Sequence, residues 1–217
     1  MSNSTEPVNS NLEEVTPAFF KSKFDNSLSY IEYKDLVLSL AANKDTTGDN
    51  KSEGRIFNTK LNSVRMNRLD KTIVILPGIT KALLNLKKEL VWLVLTESWC
   101  GDSAQNLPAI NKIAELSDKI HLGFVFRDDN PELMDCCLTN GTRSIPKVIC
   151  VNKEDYSLLG TWGPRPDPAQ AMMREYKEKK HKEYDEVQQD IAIWYTNDKC
   201  VTIQNEFIAL IKDWENS

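Results

Sequence analysis

Several things are scarce in this chain of 217 residues. No two cysteines form a Cys-x-x-Cys pair, and the two histidines, His121 and His181, stand far apart. That argues against a local zinc site and leaves only one assembled from distant positions. No metal or other cofactor is expected. The five cysteines (Cys100, Cys136, Cys137, Cys150 and Cys200) are odd in number and scattered, unlike a secreted disulfide framework. No apolar run approaches the roughly 20 residues of a membrane span. Met1 to Ser10 is polar, without an apolar signal-peptide core. A cytoplasmic protein off the membrane is expected. With a net charge of −5 and no basic block, nucleic acid is not an expected partner.

What is present is an ordinary globular balance, 41% hydrophobic and 27% charged, with length enough for one core plus an extension. Residues 1–16 read as a polar, disordered tail. Residues 17–87 read as a helical extension. Phe19, Phe20, Phe24, Leu28, Ile31, Leu36, Leu38 and Leu40 recur at helical spacing and predict one or two helices. Asn43 to Gly54, polar and glycine-containing, predicts an exposed loop. Ile56–Leu69 predicts a helix with Leu61, Val64 and Leu69 inward. Thr80–Leu90 predicts another, carrying Leu83, Leu84 and Leu86.

From residue 88 the pattern changes to alternation of strands and helices. Strands are expected at Val91–Thr96, His121–Arg127, Lys147–Val151 and Tyr156–Trp162, the last two forming a hairpin. Helices are expected at Ser103–Ser117 and Pro131–Leu138. A helix capped by Asp167 with Pro168 at its first position follows. It continues toward Trp194, with or without a break, and a second one from Val201 to Trp214 closes the chain. The expected fold class is α/β: a mixed sheet flanked by helices, with a helical N-terminal extension and extra C-terminal helices. Its core covers residues 88–180, with residues 181–217 packing on it.

The most informative stretch is Trp99-Cys100-Gly101-Asp102-Ser103. It joins a buried strand to an amphipathic helix, so Cys100 falls at a helix amino end, where N–H groups and the dipole favour an anion. Such placement favours the thiolate, the reactive form of cysteine. Asp102 acts in the opposite sense through its own charge, and Glu97 acts similarly. Three residues after Cys100 stands Ser103. An alcohol is too weakly acidic to expel a thiolate, so Ser103 cannot resolve a mixed disulfide. It can hydrogen-bond the Cys100 sulfur or the helix end. The readings are a nucleophile that forms a mixed disulfide and needs an outside resolving thiol, or a small buried residue in an inactive fold.

Further residues extend the pattern. Pro108 lies five positions past Ser103, Ser144-Ile145-Pro146 precedes a strand, and Gly160 lies by the last strand. Together with the element order these make residues 88–180 resemble the thioredoxin superfamily. Gln105-Asn106-Leu107-Pro108, Arg143 to Lys147 and Gly160 to Pro166 are similar to a bacterial branch known as thioredoxin family proteins, with one motif cysteine and a helical extension. The resemblance implies a cis Ile145–Pro146 bond facing Cys100, backbone pairing of a bound peptide at Ile145, and close approach of substrate at Gly160. Trp99, Gly101 and Asp102 join these as substrate-binding candidates, beside catalytic Cys100 and Ser103. Thioredoxins also carry a buried acid six residues before the nucleophile, where this chain has Val94.

The implied function is monothiol redox chemistry on a protein or low-molecular-weight thiol or disulfide. The alternative is a non-catalytic module that binds a peptide or protein. Monothiol glutaredoxins, which hold an iron–sulfur cluster, share the Cys-Gly-x-Ser spacing, but their glutathione-binding pattern after the last strand is missing here. Cys136 and Cys137 read as core fillers or as the source of a resolving thiol. The turn Trp162-Gly163-Pro164-Arg165-Pro166 reads as a rigid connection or as an arginine site for a carboxylate.

Overall fold

The structure, a computed structural model, describes residues 16–180 and 182–217. The expected disordered tail lies outside the described residues, apart from Thr16. Four helices come first: α1 (Pro17–Asp25), α2 (Tyr30–Ala42), α3 (Glu53–Thr72) and α4 (Pro77–Leu84). The alternating part is β1 (Leu90–Thr96), α5 (Gly101–Ala114), β2 (Ile120–Phe126), α6 (Pro131–Asp135), β3 (Lys147–Asn152) and β4 (Leu158–Trp162). Helices α7 (Asp167–Lys179), α8 (Tyr184–Asp198) and α9 (Val201–Asn216) end the chain. The expected long C-terminal helix is therefore broken in two. Lys180 ends α7 in a left-handed conformation.

The strands form one mixed sheet in the order β2-β1-β3-β4. β1 runs parallel to β2 and antiparallel to β3, and β3 pairs antiparallel with β4. The continuous apolar run of β1 places it centrally, and all seven of its residues are buried. Alternate side chains serve opposite layers. Leu90, Trp92 and Val94 pack with Leu107, Ile110, Phe207 and Trp214, while Val91, Leu93 and Leu95 pack with Phe20, Leu133 and Met134. The Trp92 ring stands edge-on to Phe207 at 5.1 Å and to Trp214 at 5.8 Å. Helix α9 thus covers the same sheet face as α5, and α1 and α6 cover the other.

The N-terminal extension is built into this core. Its α2 opens on a capping box, Ser29 with Glu32. Tyr33 from α2 stacks on Phe124 of β2, with centroids 5.2 Å apart. Just before α2, Leu28 makes a two-bond antiparallel bridge to Phe124 on the outer edge of β2.

Several local expectations are corrected. The loop after α2 is not all exposed, since Thr46 and Thr47 are buried. Helix α3 turns Thr59, Asn62, Ser63, Met66 and Leu69 inward and leaves Val64 exposed. Its inner face meets polar groups of the β1–α5 loop, so of the expected apolar side Leu69 is buried and Val64 is not. Helix α4 runs from Pro77 to Leu84 and exposes Leu84, and Leu90 belongs to β1. Pro166 caps α7, which puts Asp167 at its first position.

Candidate functional site around Cys100

The buried end of β1 and the first turn of α5 fix Cys100. It is the N-cap of α5: its Sγ accepts the Ser103 N–H at 3.4 Å and donates to the Ile145 carbonyl at 3.3 Å. Only 7% of the residue is exposed. Burial pushes the Cys100 thiol up to about 11, and the Asp102 carboxylate adds to the rise. Hydrogen bonds from Ser103 and the positive charge of Arg165 pull the other way without reversing it. The balance that the sequence leaves open at Cys100 thus tilts toward the thiol. Four pH units below that value, roughly one molecule in ten thousand is ionised. The helix end is present, but loss of solvent outweighs it.

Ser103 is fully buried, and its hydroxyl accepts a hydrogen bond from the Thr96 hydroxyl at 2.9 Å. Thr96 lies 3.2 Å from the Tyr33 hydroxyl. A polar seam therefore runs from the extension to the motif. Ser98 is its hub. Its hydroxyl meets those of Thr46 at 3.1 Å and Thr59 at 3.0 Å and accepts the Thr47 N–H at 3.0 Å. The Ser98 carbonyl accepts from Asn62 at 2.9 Å. Glu97, also buried, accepts from the Thr47 hydroxyl and from the Asp128 N–H at 2.9 Å. Burial raises the Glu97 carboxyl above its usual range, against those two hydrogen bonds. These partners explain the inward polar face of α3.

Asp102 is satisfied within the chain. Arg165 donates to it from Nε at 3.1 Å and also from Nη2, and the Tyr195 hydroxyl donates at 2.8 Å. Asn106 donates to that hydroxyl at 2.9 Å. Both members of the Arg165–Asp102 ion pair are largely buried, with side chains 13% and 14% exposed. The arginine of the Gly–Pro turn thus does hold a carboxylate, one that belongs to the chain itself. Tyr195 brings α8 onto the first turn of α5. Nothing local in the sequence marks Tyr195 for this, because its partners lie 89 and 93 positions away.

The remaining candidates divide. The Trp99 ring has the Arg55 guanidinium 4.1 Å and the Arg127 guanidinium 4.9 Å from its centroid. Arg65 lies 3.5 Å from where a Gly101 side chain would begin. Ile145 is buried, and its peptide bond to Pro146 is cis. Trp99, Gly101 and Asp102 thus flank Cys100 along the chain, and Ile145 meets its sulfur from the facing loop. Gly160 serves a different contact: a Cβ there would lie 2.6 Å from Trp214 Nε1, so the close approach is made by α9. None of the five cysteines is in a disulfide. The Cys136 and Cys137 sulfurs donate to carbonyls four residues back, at 2.9 and 3.3 Å, and Cys200 points to the Gln105 carbonyl at 3.7 Å. Burial pushes Cys137 up to about 12 and Cys200 up to about 11. Among the described residues no group of three or more His, Cys, Asp or Glu is placed to hold a metal ion. Among them, too, no helix is long and apolar enough to cross a membrane.

A strand ending in one cysteine at a helix start, opposite an Ile–Pro loop on a mixed sheet, defines a thioredoxin-like α/β protein. A thioredoxin family model matches residues 48–183, more than half of the sequence, and the chain belongs to that family. Among solved structures, an HIV epitope-scaffold is similar at 16% identity and a TM-score of 0.56, over 89% of this chain and 97% of that one. A Pseudomonas aeruginosa protein of unknown function is similar at 20% identity and a TM-score of 0.53, over 85% and 98%. Both likenesses concern the fold alone. No curated protein matches the chain.

Proposed function

We propose that this chain is a monothiol redox protein, in which Cys100 exchanges with a disulfide and an external thiol resolves the product. The observation that carries this reading is the position of one sulfur. Sγ sits at the amino end of α5, with the Ser103 N–H at 3.4 Å, and faces the Ile145 carbonyl at 3.3 Å. A partner entering between the Cys100 and Ile145–Pro146 loops displaces the sulfur from that carbonyl. Cys100 then loses its proton and attacks a disulfide R–S–S–R′. The partner S–S bond breaks, an Sγ–S bond forms, and R′–S⁻ leaves and takes up a proton. A second thiol, R″–SH, attacks the sulfur of R. It forms R–S–S–R″, and its proton returns to Cys100. Ser103 cannot perform that second step, and the other four sulfurs are buried elsewhere. Five thiols with no disulfide suit a reducing compartment such as the cytoplasm.

One observation favours a second reading, a module that binds a protein or peptide without bond exchange. It is the thiol pushed up to about 11 by burial. The two separate by experiment. Alkylation of Cys100, mapped by peptide mass spectrometry from pH 6 to 11, is run with and without cell extract, alongside trapping of mixed disulfides. Faster alkylation in extract and a Cys100-linked adduct support the redox reading. No adduct at any pH, with partner capture unchanged in Cys100→Ala, overturns it in favour of the binding module.

A further inference from the structure

Beside Trp99 the chain forms a second feature that the thiol chemistry does not use. A cavity of about 360 Å³ is lined by Asp49, Asn50, Arg55, Arg127, Asp128 and Arg143. Three guanidinium groups thus face two carboxylates. Asp128 is shared by two of the arginines, at 2.7 Å from Arg127 and 3.6 Å from Arg55. Arg143 pairs outside the lining, with Asp135 at 2.6 Å. Within the lining itself the guanidinium groups outnumber the carboxylates by three to two.

Two further observations have the same sign. The cavity residues Asn50 and Arg55 bracket Ser52, the N-cap of the 20-residue helix α3, and no side chain caps that end. The helix therefore turns a positive pole on the same region. Arg55 and Arg127 also lie over the Trp99 ring, 4.1 and 4.9 Å from its centroid, which restrains both side chains. Trp99 Nε1 is buried with no hydrogen-bond partner among the described residues. Guanidinium groups recognise carboxylate and phosphate groups by paired hydrogen bonds.

We propose that this cavity binds a small oxyanion, a carboxylate or phosphate group, through Arg55, Arg127 and Arg143. Trp99, over which two of these arginines lie, is joined directly to Cys100. The site thereby deepens the redox reading, and on that reading the preferred small-molecule partner carries a negative group as well as its reacting sulfur.

The test uses the whole chain and reads binding apart from thiol reactivity. Intrinsic tryptophan fluorescence is titrated with inorganic phosphate and, separately, with succinate, at constant ionic strength set by sodium chloride. A saturable change in the low-millimolar range is expected with at least one of them. A response to phosphate alone assigns a phosphoryl ligand and a response to succinate alone a carboxylate. The change should vanish in Trp99→Phe and shift at least tenfold to higher concentration in Arg127→Gln. Arg143→Gln, at a largely exposed position, should fold normally and weaken binding severalfold. No saturable response to either anion, or equal binding by wild type, Arg127→Gln and Arg143→Gln, overturns the proposal. A second readout ties the site to the sulfur: iodoacetate should outpace iodoacetamide at Cys100 by more in wild type than in Arg127→Gln. Anion binding without any Cys100 reactivity would fail the redox reading and leave the oxyanion site standing.

Discussion

Replacing Asp102 by asparagine should loosen the fold and sharpen the thiol at once. Asp102 accepts from Arg165 and Tyr195, and the Arg165 side chain is only 13% exposed. Removing one partner of a largely buried pair leaves the other charge uncompensated, at a cost of about 3 kcal/mol. For a chain of this size that corresponds to a fall in Tm of about 6–12 °C. The same change acts on Cys100 in one direction only. The carboxylate that raises the thiol pKa is gone, and the Arg165 charge that lowers it is no longer neutralised. A drop of about one pH unit gives roughly a tenfold faster alkylation of Cys100 at pH 8. Adding Arg165→Gln removes the stranded charge, so the double variant should recover at least half of the lost stability. The assay is thermal denaturation of wild type, both singles and the double, with alkylation rates measured on folded protein. A folded Asp102→Asn protein whose Cys100 reacts no faster than wild type would refute the electrostatic account.

Stability should decline in alkali through Cys100. Its folded-state pKa lies above the unfolded value, so unfolding releases a proton, and the stabilisation is lost as pH rises from about 9 through about 11. Over that window wild type should lose about 2–3 kcal/mol more than Cys100→Ala in urea denaturation. Gly163→Ala should cost about 3 kcal/mol. A Cβ there would lie 2.2 Å from the Pro146 carbonyl oxygen, at a φ of +120°. Denaturation should show the loss together with faster Cys100 alkylation as the Ile145–Pro146 loop shifts. Ser98→Ala strips a shared partner from Thr46, Thr47 and Thr59 and should cost about 2–4 kcal/mol in chemical denaturation.

The parts legible in the sequence were those carried by local pattern. β1 reads directly because a strand buried on both faces is apolar throughout, and Cys100 reads as a helix start because a strand and an amphipathic segment flank it. The inner face of α3 was only partly legible because Thr59, Asn62 and Ser63 are buried by hydrogen bonding, which apolar spacing does not register. The balance of effects on Cys100 is not readable for a related reason. A helix end is visible in sequence, whereas the amount of solvent removed depends on Ile145, 45 positions on. Arg55, Arg127 and Arg143 come from three separate segments, so nothing in their neighbours foretells that they share a cavity.

The short bridge between Leu28 and Phe124 bears on the behaviour of truncated forms. It occupies the outward edge of β2 at Phe124, and α2 then lies against that strand. A shortened protein that begins at β1 would present an unpaired row of amide and carbonyl groups, open to the same row on a second molecule. Such a fragment should self-associate through its flank as its concentration rises, which makes residues 17–42 a guard against intermolecular strand addition.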